Sequence, residues 1–173
     1  MTLGMSVATF TLLHVIISLI GIASGLVVLF GLMTGRGFDR LTVLFVSTTL
    51  LTSVTGFLFP IQKITPGIVV GILSCVVLAL AVVGLYIFQL RGPWRRTYVI
   101  SATLALYFNV FVLIVQSFQK VPALHALAPT QSEPAFQAVQ LLTLVIFIAL
   151  GIVAVKRFRP AVAAAAMSAA SGQ

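Results

Sequence analysis

Among the residues in apolar runs of this chain, the histidine at position 14 has the widest chemical repertoire. His14 lies in an apolar run near the N-terminus. Imidazole titrates near neutral pH, and its neutral form is suited to bind haem iron, another metal or a quinone. Ser18, Gly21 and Gly25 follow at helical spacing, so the four residues share one helix face. The alternative is structural, with His14 hydrogen-bonded to a neighbouring helix.

Other polar side chains are predicted to gather with His14 in the outer leaflet of a membrane. Polar groups at membrane depth need one another, water or a ligand as partners. The predicted polar site consists of His14, Thr52, Thr55, Gln116 and Gln140. A proline-rich loop lies just above it, and its residues His125 and Glu133 form a predicted lid. The alternative for this loop is an ordered cap that ties two helices together.

The chain contains few residues of the types that carry out enzymatic chemistry. The acidic residues are Asp39 and Glu133, and the single cysteine is Cys75. A metal site normally needs three or four protein ligands, so no metal site is predicted and no catalytic residue is assigned. The chain also has no P-loop, G-x-S-x-G, H-E-x-x-H or C-x-x-C motif.

Five membrane-spanning helices are predicted to position these residues. The chain has 173 residues, of which 61% are hydrophobic and 7% charged, whereas soluble proteins carry about 25% charged residues. A spanning helix needs about 20 mostly apolar residues. The segments that qualify are 6–33, 41–59, 67–90, 97–118 and 136–155. Residues 1–159 therefore form an all-α transmembrane bundle, and the Ala-rich tail 160–173 is assigned no function.

The distribution of lysine and arginine predicts the orientation of the bundle. One side carries Arg36, Arg40, Arg91, Arg95, Arg96, Lys156, Arg157 and Arg159, and the other carries Lys63 and Lys120. Basic residues accumulate on the cytoplasmic side of membrane proteins. The N-terminus is thus expected outside and the C-terminus in the cytoplasm. These cations suit topology and contact with anionic lipid, so no nucleic-acid partner is predicted.

Two pairs of glycines are predicted to mark helix-packing surfaces. Gly21 and Gly25 lie four residues apart in the first span, and Gly67 and Gly71 in the third. Small residues at this spacing let membrane helices approach closely. Close packing of the first span would then hold His14 against a neighbouring helix.

Three stretches of the chain carry a resemblance to known sequences. They are HVIISLIGIASGLVVL, TTLLTSVTGFLFP and LYFNVFVLIVQSFQKVPALHALAPTQSEPAF. Together they resemble uncharacterised small multi-pass inner-membrane proteins of bacteria. The resemblance implies a location in the bacterial plasma membrane, and it implies no activity, cofactor or site residue.

Three classes of function are compatible with these features. The first is a non-enzymatic membrane protein that assembles with itself or serves as an accessory subunit of a larger membrane complex. The second is a redox protein that binds haem b or a quinone through His14, with His125 as a second ligand. The third is a small transporter or channel whose vestibule is the polar outer half. The lipid bilayer is a partner in all three.

Overall fold

A computed structural model describes residues 4–37, 39–59 and 66–159. The described chain is helical and contains no strand. Its helices are α1 (Val7–Thr34), α2 (Asp39–Phe57), α3 (Pro66–Val82), α4 (Trp94–Lys120), α5 (Pro122–Leu127) and α6 (Pro134–Arg157), and a π-helical turn, Val83–Ile87, extends α3. Five of these segments, all but α5, are long and apolar enough to cross a membrane. The described part of the chain is therefore all-helical, with the five apolar helices predicted for a multi-pass membrane protein.

The observed helices differ from the predicted spans mainly at their ends. The fourth and fifth spans, predicted as 97–118 and 136–155, extend to Trp94–Lys120 and Pro134–Arg157. The π-helical turn was not predicted because it lies within the continuous apolar run of the third span, where hydropathy does not distinguish it from an α-helix. The helix α5 was not predicted because it is only 6 residues long. Lys63 and the tail 160–173 lie outside the described residues.

Local sequence signals explain where several helices begin and end. The Ser6 hydroxyl accepts a hydrogen bond from the Thr9 backbone N–H at 3.1 Å and caps the start of α1. Gly35 ends α1 in the left-handed region, with φ of 76°, a conformation that glycine adopts without a steric penalty. Pro122 and Pro134 open α5 and α6, where the missing proline N–H costs no helical hydrogen bond.

The long helices form an up-and-down bundle in which α1 and α4 are central. Consecutive spans contact one another, and α1 also contacts both α4 and α6. The buried apolar core lies towards the end of the bundle that carries the loops rich in arginine. Its side chains include Leu29 and Leu32 of α1, Phe45 of α2, and Val99 and Leu106 of α4. Tight packing at this end holds the helices in the register that positions the polar residues farther along.

Arg95 fastens the start of α4 to the end of α6. Its guanidinium donates to the Val155 carbonyl at 2.9 Å and also to the Phe158 carbonyl. The last carbonyls of a helix have no intrahelical partner, so this cation satisfies groups that would otherwise be unpaired. The two helices are thereby joined at the arginine-rich end of the bundle.

Candidate functional site

His14 contacts α2 through a single strong hydrogen bond. Its Nδ1 lies 2.7 Å from the hydroxyl oxygen of Thr55. The imidazole and the Phe59 ring also form a T-shaped pair, with centroids 5.3 Å apart and planes at 89°. Gly56 lies beside the ring, and a Cβ there would meet His14 Cε1 at an ordinary contact distance of 3.7 Å. The imidazole is therefore held half-buried, with its orientation determined by α2.

The hydrogen bonds of Thr55 determine the tautomer of His14. A threonine hydroxyl has one proton to donate, and Thr55 donates it within α2, to the Leu51 carbonyl at 2.6 Å. Both contacts of the Thr55 hydroxyl are hydrogen bonds at once only if its oxygen accepts from His14, because a proton donated to Nδ1 would leave none for the Leu51 carbonyl. This requirement assigns the imidazole proton to Nδ1. Nε2 of the neutral ring carries a lone pair that can accept a hydrogen bond or bind a metal.

The other predicted site residues do not join His14 in a hydrogen-bonded cluster. Thr52 donates to the Thr48 carbonyl of its own helix at 2.9 Å. Gln116 is exposed on α4. Gln140 donates to the Phe111 carbonyl at 3.4 Å, and its Oε1 is buried without a partner among the described residues. The structure thus brings together His14 and Thr55 and leaves the other three in separate environments.

The predicted lid is an ordered segment that is bonded to α4. His125 is exposed on α5, and the Gln131 side chain donates to the Val115 carbonyl of α4 at 2.9 Å. The Glu133 carboxylate accepts bonds from the Thr130 N–H at 3.0 Å and hydroxyl at 2.9 Å, and from the Ser132 N–H at 3.1 Å. The contacts of Glu133 are local, so the lid is tied to α4 and to itself.

The same hydrogen bonds hold the Glu133 carboxyl in its ionised form. Slight desolvation of the carboxyl raises its pKa, but the bonds from Thr130 and Ser132 outweigh that effect. The pKa of Glu133 consequently lies below its ordinary value of 4.5. The negative charge of this loop is therefore maintained at neutral pH.

A buried polar pair in the middle of the bundle was missed as a pair by the sequence analysis. The Asn109 amide of α4 donates to the Thr49 hydroxyl of α2 at 3.0 Å, and Thr49 is fully buried. Ser53 donates to the backbone carbonyl of Thr49 at 3.2 Å. An asparagine at membrane depth indicates that its amide has a hydrogen-bond partner. Which residue is that partner depends on how α2 and α4 are rotated about their own axes.

The glycines of α1 lie at the contact with α2 and α4. A Cβ at Gly21 would lie 3.2 Å from the Thr48 hydroxyl. A Cβ at Gly25 would lie 2.7 Å from both Leu106 Cδ1 and Phe45 Cε2. Both glycines thus permit close approach of helices within one chain, and this approach places α1 beside Thr55, the residue bonded to His14.

The second glycine pair is divided between two environments. A Cβ at Gly71 of α3 would lie 2.8 Å from the Phe57 ring of α2, whereas Gly67 is exposed. Gly71 therefore receives an aromatic side chain from the neighbouring helix, and Gly67 lies outside that contact.

An apolar groove of about 380 Å³ lies between α4 and α6, and no pattern in the sequence predicts it. Tyr107 and Phe147 line one part of it, Gly151 lies along its wall, and Lys156 lies at one end. A groove of this kind depends on which faces of two helices meet, so hydropathy alone cannot reveal it.

The described residues contain no group of three or more His, Cys, Asp or Glu side chains that could hold a metal ion. No protein-family model, curated protein or solved structure matches the chain.

Proposed function

We propose that this chain is a non-enzymatic membrane protein that acts by assembly within the bilayer, with a second copy of itself or as an accessory subunit of a larger complex. The observation that carries the proposal is the one-sided attachment of α6. Among its 24 residues, only Phe147 and Ala154 are buried. Leu141, Leu142 and Val145 are 63%, 61% and 54% exposed. Membrane helices associate through side-chain packing, so this surface offers a partner helix a site.

The use of polar groups inside the bundle supports the same proposal. Asn109 is bonded to Thr49, and the hydroxyls of Thr48 and Ser53 are bonded to carbonyls of their own helix. These groups are occupied in holding helices together. A protein whose interior polarity serves packing is suited to a scaffolding or accessory role.

Site-specific cross-linking in native membranes tests this proposal. In a Cys75→Ala background, Leu142→Cys places the only thiol on the exposed face of α6, and Phe30→Cys on α1 is the control because Phe30 is 62% exposed. We expect a bifunctional maleimide to trap the α6 variant in a dimer or a larger adduct, and to leave the α1 control monomeric. Monomers for both variants, or equal adducts for both, would contradict assembly through α6.

We also infer that the protein lies in the bacterial plasma membrane with its C-terminus in the cytoplasm. The asymmetry of lysine and arginine supports the orientation, and the resemblance to bacterial inner-membrane proteins supports the location. A reporter fused after Gln173 should then report the cytoplasm, and a cysteine at Thr130 should react with an impermeant reagent from outside. Labelling of both positions from one side would refute this topology.

A second candidate function is ligand binding at His14, with haem b or a quinone as the ligand. The Nε2 lone pair favours it, because a lone pair can bind haem iron or accept a proton from a quinol. The test is the absorption spectrum of the purified protein after haem reconstitution. Thr55→Val should weaken or shift a haem band by releasing Nδ1, whereas Thr52→Val should leave the band unchanged because Thr52 bonds only its own helix. A spectrum without a band, or one insensitive to His14→Ala, rules out haem at this position; a quinone there would require its own test by titration.

A further inference from the structure

The groove between α4 and α6 has the length of one leaflet. It runs along α6 from Leu144 to Lys156, which corresponds to about 18 Å at the rise of an α-helix. The hydrocarbon layer of one leaflet is about 15 Å thick, half of the bilayer core. A single acyl chain therefore matches the groove, whereas a partner helix would continue past its end near the middle of the membrane.

The walls of the groove are apolar along this length. Ile100 and Leu104 line it from α4 and Ile148 and Ile152 from α6. Thr103 also lines it, but its hydroxyl donates to the Val99 carbonyl at 2.7 Å. The side chain therefore turns its methyl group towards α6. Such a surface packs against hydrocarbon by van der Waals contact and does not require a hydrogen-bonding partner from it.

The arginine-rich end of the groove is cationic. Lys156 lines the groove and is exposed, and Arg96 lies one helical turn before Ile100 on the same face of α4 and is exposed as well. Arg95 is already bonded to the carbonyls at the end of α6. Two cations without a side-chain hydrogen bond or ion pair among the described residues thus lie at the headgroup level of this apolar groove.

We propose that this groove is a binding site for an anionic phospholipid of the leaflet on the arginine-rich side. One acyl chain lies between α4 and α6, and the headgroup lies against Lys156 and Arg96. Anionic headgroups are attracted to basic residues at the membrane surface, and the groove adds shape selection to that attraction. This site is separate from His14 and does not depend on assembly through the outward face of α6.

Native mass spectrometry of the detergent-solubilised protein tests the proposal. The protein is mixed with equal amounts of phosphatidylglycerol and phosphatidylcholine that have identical acyl chains. We expect preferential retention of phosphatidylglycerol. Lys156→Gln and Arg96→Gln should each lower that preference about fivefold. Arg157→Gln is the matched control, because Arg157 is exposed on the same turn of α6 but does not line the groove, and it should leave the preference unchanged.

Filling the groove separates the role of its shape from that of its charge. Gly151→Leu and Leu104→Trp should each reduce retention of both lipids several-fold. Leu104 is 38% exposed, so its variant tests the proposal even if Gly151→Leu misfolds, and circular dichroism and size-exclusion chromatography verify folding. Equal retention of the two lipids by the native protein would overturn the proposal. An Arg157→Gln effect as large as that of Lys156→Gln would overturn it as well. So would undiminished lipid binding by groove-filling variants that are folded.

Discussion

Replacing Gly25 by alanine should destabilise the bundle measurably. The new Cβ would lie 2.7 Å from Leu106 Cδ1 and Phe45 Cε2, and both of those side chains are only 1% exposed. They have little room to move, so the added methyl group acts as overpacking, which costs about 1–3 kcal/mol. Because two buried side chains must both shift, the overpacking cost lies in the upper part of that range, at about 2–3 kcal/mol. Alanine recovers up to about 1 kcal/mol through its higher helix propensity. The expected net loss of unfolding free energy is therefore about 1–2 kcal/mol.

Reversible unfolding by SDS in mixed micelles, followed by far-ultraviolet circular dichroism, measures this loss. Gly56→Ala is the matched control, because among the described residues its Cβ would meet only His14 Cε1, at an ordinary 3.7 Å. Its unfolding free energy should equal or slightly exceed that of the native protein. If Gly25→Ala unfolds at the same SDS fraction as the native protein, then α1 does not approach α2 and α4 as closely as the structure shows, and the argument fails.

Three further predictions follow from the hydrogen bonds. Thr49→Val should cost about 1 kcal/mol of unfolding free energy, because the Asn109 amide loses its acceptor; the SDS assay measures it. Arg95→Ala should increase hydrogen exchange at the end of α6, because two carbonyls lose their guanidinium donor. The amide proton of Thr130 should shift in NMR spectra as the pH falls below 4.5. The pKa of Glu133 is lowered in the folded protein, so its carboxylate keeps its hydrogen bonds above pH 4.5 and loses them as the pH falls through that lowered pKa.

Each of these predictions has a control close to the substituted residue. Thr48→Val should lower the unfolding free energy less than Thr49→Val does, because the Thr48 hydroxyl bonds only carbonyls of α2. Equal losses would show that the hydrogen bond between Asn109 and Thr49 does not stabilise the bundle. Arg96→Ala should leave exchange at the end of α6 unchanged. Glu133→Gln should abolish the titration of the Thr130 amide, and a titration that survives this substitution would identify another group as its source.

The number and approximate positions of the spans follow from the sequence alone. Water is absent from the membrane core, so every backbone group there must be bonded within its own segment, and long apolar runs must be helical. This constraint is local, and it explains why all five predicted spans are confirmed. The orientation also rests on sequence, through the placement of lysine and arginine, and stays a prediction.

Helical periodicity predicts which residues share a face, but it does not say what lies opposite that face. Asn109 and Gln116 are seven residues apart on α4, yet Asn109 is buried against Thr49 and Gln116 is exposed. The difference arises because the neighbouring helices cover this side of α4 near its middle and leave it open at Gln116, although Phe118 on another side is buried. The predicted polar site included Gln116 on the expectation that neighbouring helices cover this face of α4 along its whole length.

Only the tertiary structure decided the partner of His14. Thr55 is 41 residues away along the chain, and its contact with the imidazole depends on the rotation and separation of α1 and α2. Those quantities are determined by the close approach at Gly21 and Gly25. The sequence therefore determined that the polar groups of the membrane interior need partners, and the packing of the helices determined which partners they have, because a hydrogen bond requires a separation of about 3 Å that no periodic pattern specifies.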